Sequence, residues 1–130
     1  MTPILETEYA QLTFEPETSI LKLVWKETCT TETYHYVYDK ILDLVEKTHV
    51  KYYIADIRKL ELIAPSDRKW LQNKIIPKLF KLKMEKIAAI VSGDVYMQRH
   101  IMHLNQEITA KKRIKQFGSL AEAIRWFKGE

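Results

Sequence analysis

The 130-residue sequence is poor in three residue types that characterise whole classes of protein. Its single cysteine, Cys29, can form neither an internal disulfide nor a cysteine zinc cluster, in agreement with a reducing compartment. Its three glycines are isolated from one another, which excludes the glycine-rich loop of P-loop nucleotide hydrolases. Glycine and the four prolines are also too few for a disordered or fibrous chain.

Long apolar runs are missing as well. The longest one, 87–91, is far shorter than the about 20 residues that a membrane-spanning helix needs. The first ten residues lack the charged-then-apolar order of a signal peptide. We therefore expect a cytoplasmic protein without a membrane span. The length and an apolar content of 46% suit one folded domain over residues 1–130.

Acidic and basic residues are unevenly distributed along the chain. Residues 1–65 have 7 Lys/Arg and 11 Asp/Glu, whereas residues 66–130 have 14 and 6, within a total charge of +4. Clustered cations suit nucleic-acid phosphates, but no aromatic residues are interleaved with the lysine runs of the second half. Cations at helix ends also balance the helix dipole. We therefore do not expect nucleic acid as a partner.

Hydrophobic periodicity predicts a hairpin followed by alternating helices and strands. The predicted elements are strands 10–14 and 20–25, a helix from an N-cap at Thr31 to about Lys47, strand 52–55, a helix capped by Ser66 with the stripe Leu71, Ile75, Leu79 and Leu82, strand 86–91, a helix over 95–110, strand 114–117, and a last helix opened by the capping box Ser119–Glu122. Pro77 lacks an N–H, so the second helix is predicted to kink or restart within 73–76.

The element order ββαβαβαβα predicts the fold class. Strands that alternate with helices need crossover connections, which place parallel strands side by side with helices on the faces of the sheet. We therefore expect an α/β protein with a single mixed sheet of about five strands and an N-terminal antiparallel hairpin.

Two segments resemble the SpoIIAA-like proteins, small bacterial domains of the STAS superfamily whose fold is related to CRAL-TRIO lipid-binding domains. They are YYIADIRKLELIAPSDRKWLQNKIIPKLF, with Asp56, Trp70 and Pro77, and the closing FGSLAEAIRWF. The resemblance implies a mixed α/β domain without enzymatic activity that acts through a protein partner or a small ligand. Anti-sigma-factor antagonists of that superfamily have a phosphorylated serine where Pro65 stands here. The neighbouring Ser66 is then either a phosphate acceptor or simply the N-cap.

Polar residues that follow two of the predicted strands define a candidate ligand site. In an open α/β sheet, ligands bind at the carboxyl ends of the strands. The candidate residues are Asp56, Arg58, Ser66, Ser92 and Asp94. Because Asp56 repels an anion and Arg58 attracts one, a neutral or zwitterionic, partly apolar ligand is favoured over a nucleotide. The alternative is that Asp56 and Asp94 only bind loop amides or cap helices.

Three further sets of residues have a chemical and a structural interpretation each. His100, His103 and Glu107 share a helix face and are suitable zinc ligands, but their spacing is not that of a zinc motif, and a solvated helix face also explains them. Cys29 with His35 is either a nucleophile pair or a passive thiol near a histidine. The aromatic residues either fill the core or line a cavity between helix and sheet; they are Trp25, Tyr34, Tyr38, Tyr52 and Tyr53.

Together these patterns predict a non-enzymatic regulatory or ligand-binding module with no cofactor. Its partner is a protein or a small molecule, and the uneven charge favours a homodimer. The alternatives are an enzyme that uses carboxylate and histidine side chains, with or without a metal, and nucleic-acid binding through the basic second half.

Overall fold

The computed structural model describes residues 3–60, 63–92 and 113–129, which form a six-stranded mixed sheet with helices against both faces. The strands are β1 Pro3–Glu6, β2 Ala10–Glu15, β3 Ile20–Trp25, β4 Tyr52–Asp56, β5 Lys86–Ile90 and β6 Ile114–Phe117. The helices are α1 Thr31–Lys47, α2 Pro65–Trp70, a π-helical segment Leu71–Ile75, α3 Ile76–Lys81 and α4 Leu120–Phe127.

The strands lie in the sheet in the same order as in the chain. Strands β1, β2 and β3 are antiparallel neighbours, and β3 to β6 are parallel. The α/β class, the mixed sheet and the antiparallel hairpin are thereby confirmed. The sixth strand is β1, which the sequence analysis missed because four residues with a proline and a register shift have no clear alternating pattern.

All parallel strands end at one edge of the sheet, here called the carboxyl edge. Its last strand residues are Trp25, Asp56, Ile90 and Phe117. The loops from β3 to α1 and from β4 to α2 start at this edge, so residues far apart in the sequence meet above it.

The two faces of the sheet are covered by different helices. Helices α1 and α3 pack on one face, and α4 covers the other over β4 to β6. Alternation along β4 sends Tyr53 and Ala55 to the α1 face and Ile54 to the α4 face. The two adjacent tyrosines are separated in this way, since Tyr52 stacks on Phe127 of α4 at 4.6 Å between ring centroids.

Two of the predicted helix caps are wrong and one is confirmed. Thr30 rather than Thr31 caps α1, because its hydroxyl accepts a hydrogen bond from the Thr33 amide at 3.2 Å. Helix α2 begins at Pro65, whose fixed φ suits the first helical position, so Ser66 lies inside the first turn and is no cap. Ser119 caps α4 and its hydroxyl contacts both the amide and the carboxylate of Glu122.

The irregularity predicted before Pro77 is confirmed as the π-helical segment Leu71–Ile75. Pro77 offers no N–H to the carbonyl one turn earlier, and the chain responds with a wider turn. A wider turn changes which residues face the sheet. Ile75 and Leu79 are buried as predicted, whereas Leu71 and Leu82 are half-buried and Gln72 takes a buried position.

The helix predicted over 95–110 lies outside the described residues, as do Asp94, His100, His103 and Glu107. Within the described ranges, no helix is long and apolar enough to cross a membrane.

Candidate functional site

A pocket of about 300 Å³ lies at the carboxyl edge between the β3–α1 and β4–α2 loops, and we call it the Asp67 pocket. The first loop and the start of α1 contribute Thr28, Cys29, Thr31 and Tyr34. The second loop and the start of α2 contribute Leu60, Ile63, Ala64, Pro65 and Asp67. The pocket is therefore mostly apolar, with hydroxyl, thiol and carboxylate groups at defined places.

Asp67 is the charged group of this pocket and is nearly buried, with 8% of its side chain exposed. Its Oδ2 accepts a hydrogen bond from the Thr31 hydroxyl at 2.9 Å. Its Oδ1 lies 3.2 Å from Nε2 of His35. Both partners belong to α1, so this carboxylate fixes the start of α2 against α1.

His35 is held by a second contact besides Asp67. Its ring stacks on Trp70 with centroids 3.6 Å apart and the planes 9° from parallel. Trp70 in turn meets Tyr34 and Tyr38 edge-on, at 6.2 and 6.1 Å. Trp70 thus links the polar pair to the aromatic core, although it is itself only partly buried.

Behind the pocket lies a smaller cavity of about 50 Å³ between helices and sheet, here called the core cavity. Its walls are almost wholly apolar and come from β3, β4, β5, β6, α1 and the residues after β4. Trp25, Tyr34, Tyr38 and Tyr53 line it and are buried at the same time. The two interpretations of the aromatic residues, core and cavity wall, are therefore both correct for these four, whereas Tyr52 lies on the other face.

The three tyrosine hydroxyls are neutral hydrogen-bonding groups inside the core. Tyr53 donates a hydrogen bond to the Tyr38 hydroxyl at 3.1 Å. Burial, and then the neighbouring Tyr38 hydroxyl, raise the pKa of Tyr34 and Tyr53 well above the ordinary tyrosine value. Burial also raises the pKa of Tyr38, although hydrogen bonds from Tyr53 and Tyr34 oppose the shift.

Trp25, another residue that lines the core cavity, has an unsatisfied buried donor. Its side chain is 1% exposed, and its indole N–H has no hydrogen-bond partner among the described residues. A buried donor without a partner costs about 1–3 kcal/mol.

The pocket and the cavity are adjacent compartments. Tyr34, Leu60 and Ile63 line both of them. The two compartments therefore share a wall made of these three side chains. The combination is a pocket with a carboxylate and, next to it, an almost wholly apolar cavity.

Cys29 lies in the pocket but is not set up as a nucleophile. Burial, and then the negative charge of Asp67, raise the pKa of its thiol and disfavour the reactive thiolate. His35 has a carboxylate partner, Asp67, that the sequence did not reveal. Nε2 of His35 is the nitrogen that contacts this carboxylate. These contacts favour the passive-thiol interpretation of Cys29.

Asp56 and Arg58 neutralise each other at the carboxyl edge. Arg58 donates to both carboxylate oxygens through Nε and a terminal nitrogen, at 3.0 and 2.7 Å, and its backbone amide lies 3.2 Å from Oδ1. Asp56 thus binds a loop amide, which is the alternative to a ligand-binding role given for it in the sequence analysis. Neither residue is among those that line the Asp67 pocket or the core cavity.

The remaining predicted site residues are dispersed. Ser66 is exposed in the first turn of α2, next to but not within the pocket lining. Ser92 follows β5 and is half-buried, and Asp94 lies outside the described residues. No group of three His, Cys, Asp or Glu side chains is arranged for a metal ion in residues 3–60, 63–92 and 113–129.

The fold also places the Trp126 ring next to two lysines of the basic half of the chain. The ammonium groups of Lys86 and Lys115 lie 5.0 and 5.6 Å from the centre of the Trp126 ring. Lys86 also donates to the Trp126 carbonyl at 2.9 Å. Cations and aromatic rings that are separate in the sequence therefore meet on the α4 face, but these lysines are already engaged by the protein itself.

The sequence analysis missed Asp67, the residue that organises the pocket. The available signal was weak: an acidic residue in the first turn of a helix stabilises the helix dipole and needs no other role. Only the approach of α2 to α1 makes Asp67 a partner of Thr31 and His35.

Comparison with known proteins supports the fold. No protein-family model and no curated protein matches this chain. The NMR structure of the protein TM1081 superposes with a TM-score of 0.68 over 100% of this chain and 98% of that one, at 12% sequence identity. At that identity the likeness concerns the fold alone, and the described chain is an α/β protein with a single mixed six-stranded sheet.

Proposed function

We propose that this chain is a non-enzymatic ligand-binding or regulatory module that takes a small, partly apolar ligand into the Asp67 pocket and the core cavity. The observation that carries the proposal is the shared wall of Tyr34, Leu60 and Ile63 between a polar pocket and an apolar cavity. Small-molecule sites are concave and mostly apolar, with a few polar groups that orient the ligand. The carboxyl edge of a parallel sheet is also where such sites form.

The volumes limit what the ligand can be. A cavity of about 150 Å³ binds benzene in a protein core. The core cavity, at about 50 Å³, is too small for a ring and takes a short alkyl group. The remainder of the ligand then lies in the pocket of about 300 Å³.

The polar groups of the site support binding rather than catalysis. The thiol of Cys29 has a raised pKa, and His35 is engaged by Asp67 and Trp70. A nucleophile needs a lowered pKa or an adjacent base. We therefore prefer a binding module over an enzyme that uses carboxylate and histidine side chains.

Membership of the SpoIIAA-like proteins remains part of this proposal, with a cytoplasmic location and a protein partner as further elements. The motif resemblance and the single mixed sheet support it. In such a module, the ligand state of the pocket would act on the partner through the α1–α2 contact at Asp67. Asp56, Arg58, Ser66 and Ser92 would then belong to the rim that faces the partner.

The proposal is tested by NMR titration with a panel of small neutral alkyl and aryl compounds at millimolar concentration. We expect alkyl compounds to shift the Trp25 indole N–H resonance, because Trp25 lines the core cavity. The Trp126 indole resonance on the opposite face is the internal control. Ala89→Leu fills the core cavity from β5 and should abolish the shifts.

The rim residues provide the matched control. Asp56→Asn removes a carboxylate at the same edge but outside both compartments, so binding should persist in this variant. Binding that survives Ala89→Leu in a folded protein and is lost in Asp56→Asn would place the ligand at the rim instead. No shift with any compound of the panel would refute the proposed function.

A further inference from the structure

We infer that the polar head of the ligand donates a hydrogen bond to Asp67 and that the pocket rejects an anionic head, an inference that rests on the proposed function. The predicted class of ligand is a small alcohol or amine with a short alkyl tip. Carboxylates and phosphates of the same size are expected to bind more weakly.

The Asp67 pocket presents hydrogen-bond acceptors to a ligand. Each Asp67 oxygen accepts one hydrogen bond from the protein, and a carboxylate offers about four acceptor sites in total. The Thr31 hydroxyl donates its hydrogen to Asp67, so it can only accept a hydrogen bond from a ligand. The entrance therefore presents acceptors, and a ligand that brings a donor is complementary to it.

The charge of the pocket disfavours an anionic head group. Asp67 is the only formally charged group among the described residues that line the pocket. An anion placed beside this nearly buried carboxylate would lie next to a like charge, and His35, the basic side chain beside it, is already bound by Asp67 and Trp70.

The two compartments determine the orientation of the ligand. The core cavity lies behind the Tyr34 wall and is almost wholly apolar, so the alkyl tip belongs inside and the polar head belongs in the pocket. A ligand of this shape contacts Asp67 with its head and passes Leu60 and Ile63 with its stem.

The experiment compares three probes that share one alkyl group: isobutanol, isobutylamine and isobutyrate, at neutral pH. The first readout is the Trp25 indole N–H resonance, and the second is the rate at which iodoacetamide alkylates Cys29, the single cysteine of the chain and a pocket residue. We expect the alcohol and the amine to shift the resonance and slow alkylation. Isobutyrate should bind at least tenfold more weakly than isobutanol, a loss of about 1.4 kcal/mol or more in binding free energy.

Two variants test the residue assignment. Asp67→Asn removes the charge in the same shape, and isobutyrate should then approach isobutanol in affinity. Asp56→Asn removes a carboxylate that Arg58 already neutralises, and the preference should not change. If Asp67→Asn does not fold, the three probes on the unaltered chain decide by themselves.

The outcomes separate this inference from the proposed function. Isobutyrate binding as tightly as isobutanol would overturn the head assignment and leave the pocket as a ligand site. An unchanged preference in folded Asp67→Asn would overturn it as well. If none of the three probes changes either readout, both the inference and the proposed function fail.

Discussion

At the residue scale, the tyrosine hydroxyls are the most consequential polar groups of the core. Tyr34, Tyr38 and Tyr53 place three hydroxyls beside an apolar cavity, where each needs a partner. The hydrogen bond from Tyr53 to Tyr38 meets part of this need, and burial is the main cause that raises the pKa of all three.

Removing the donor of the Tyr38–Tyr53 pair should lower stability modestly. Tyr53→Phe deletes the hydroxyl that donates to Tyr38 at 3.1 Å, and we expect a loss of about 1 kcal/mol in the free energy of unfolding. Urea denaturation measures the loss. Tyr36→Phe on the exposed side of α1 is the control, with an expected change below about 0.5 kcal/mol. Equal losses in the two variants would show that the buried pair contributes nothing.

The same tyrosines make stability fall at alkaline pH. Their folded-state pKa values are raised, so their stabilising contribution is complete below the unfolded-state pKa of about 10. It is lost as the pH rises from there through the folded-state values, because the unfolded chain ionises first. Denaturation at neutral pH and above about pH 10 measures the loss, and Tyr53→Phe should reduce it. An equal pH dependence in the variant would contradict this assignment.

The thiol of Cys29 should react slowly for a half-buried cysteine. Its pKa is raised by burial and then by Asp67, so less thiolate is present at neutral pH than in a free thiol. We expect slower alkylation by iodoacetamide than for a cysteine-containing peptide. Asp67→Asn removes one of the two causes and should speed the reaction, whereas Asp56→Asn should not. A rate that is independent of Asp67 would mean that burial accounts for the whole shift.

At the scale of elements, the helix ends differ in what holds them. Helices α1 and α4 start with side-chain caps from Thr30 and Ser119. Helix α2 starts at Pro65 without a side-chain cap, and Asp67 ties its first turn to α1 instead. The start of α2 therefore depends on a tertiary contact at the candidate site, while the other two starts are local.

Ser119, the N-cap of α4, and Ser66, in the first turn of α2, allow a matched comparison. Ser119→Ala removes the acceptor of the Glu122 amide and should cost about 1 kcal/mol. Ser66→Ala removes an exposed hydroxyl from the first turn of α2 and should change stability by less than about 0.5 kcal/mol. Thermal or urea denaturation of both variants provides the test. A larger loss in Ser66→Ala would restore Ser66 as the cap of α2.

At the scale of the whole molecule, the charges are distributed in a way that two copies could match. Exposed acidic residues such as Glu32 and Asp39 lie along α1, and exposed basic residues such as Arg125 and Lys128 lie on and just after α4. The outer strands β1 and β6 are short, and β1 starts with a proline that cannot donate to a neighbouring strand. Charge rather than strand pairing is therefore the attraction to expect between copies.

We predict self-association that weakens with salt, because exposed charges are screened at high ionic strength. Light scattering should give a mass above that of the monomer at low salt and the monomer mass at high salt. Arg125→Glu reverses a charge on the exposed face of α4 and should favour the monomer at low salt. A monomer at both salt concentrations would exclude the homodimer.

The sequence by itself determined the features that depend on local periodicity and local chemistry. The alternation of β3, the 3.6-residue period of α1 and the serine cap of α4 follow from neighbouring residues, and all three are confirmed. The break before Pro77 belongs to the same class, since a missing N–H acts one turn away. The mixed sheet follows from the order of these elements.

Only the tertiary structure decided which residues meet. Asp67 became the centre of a pocket because α2 packs against α1, a contact across 36 residues of sequence for Thr31 and 32 for His35. Asp56 and Arg58 satisfied each other because both side chains lie at one strand end. Burial, partners and free space are properties of packing between elements, and no pattern within a single element encodes them.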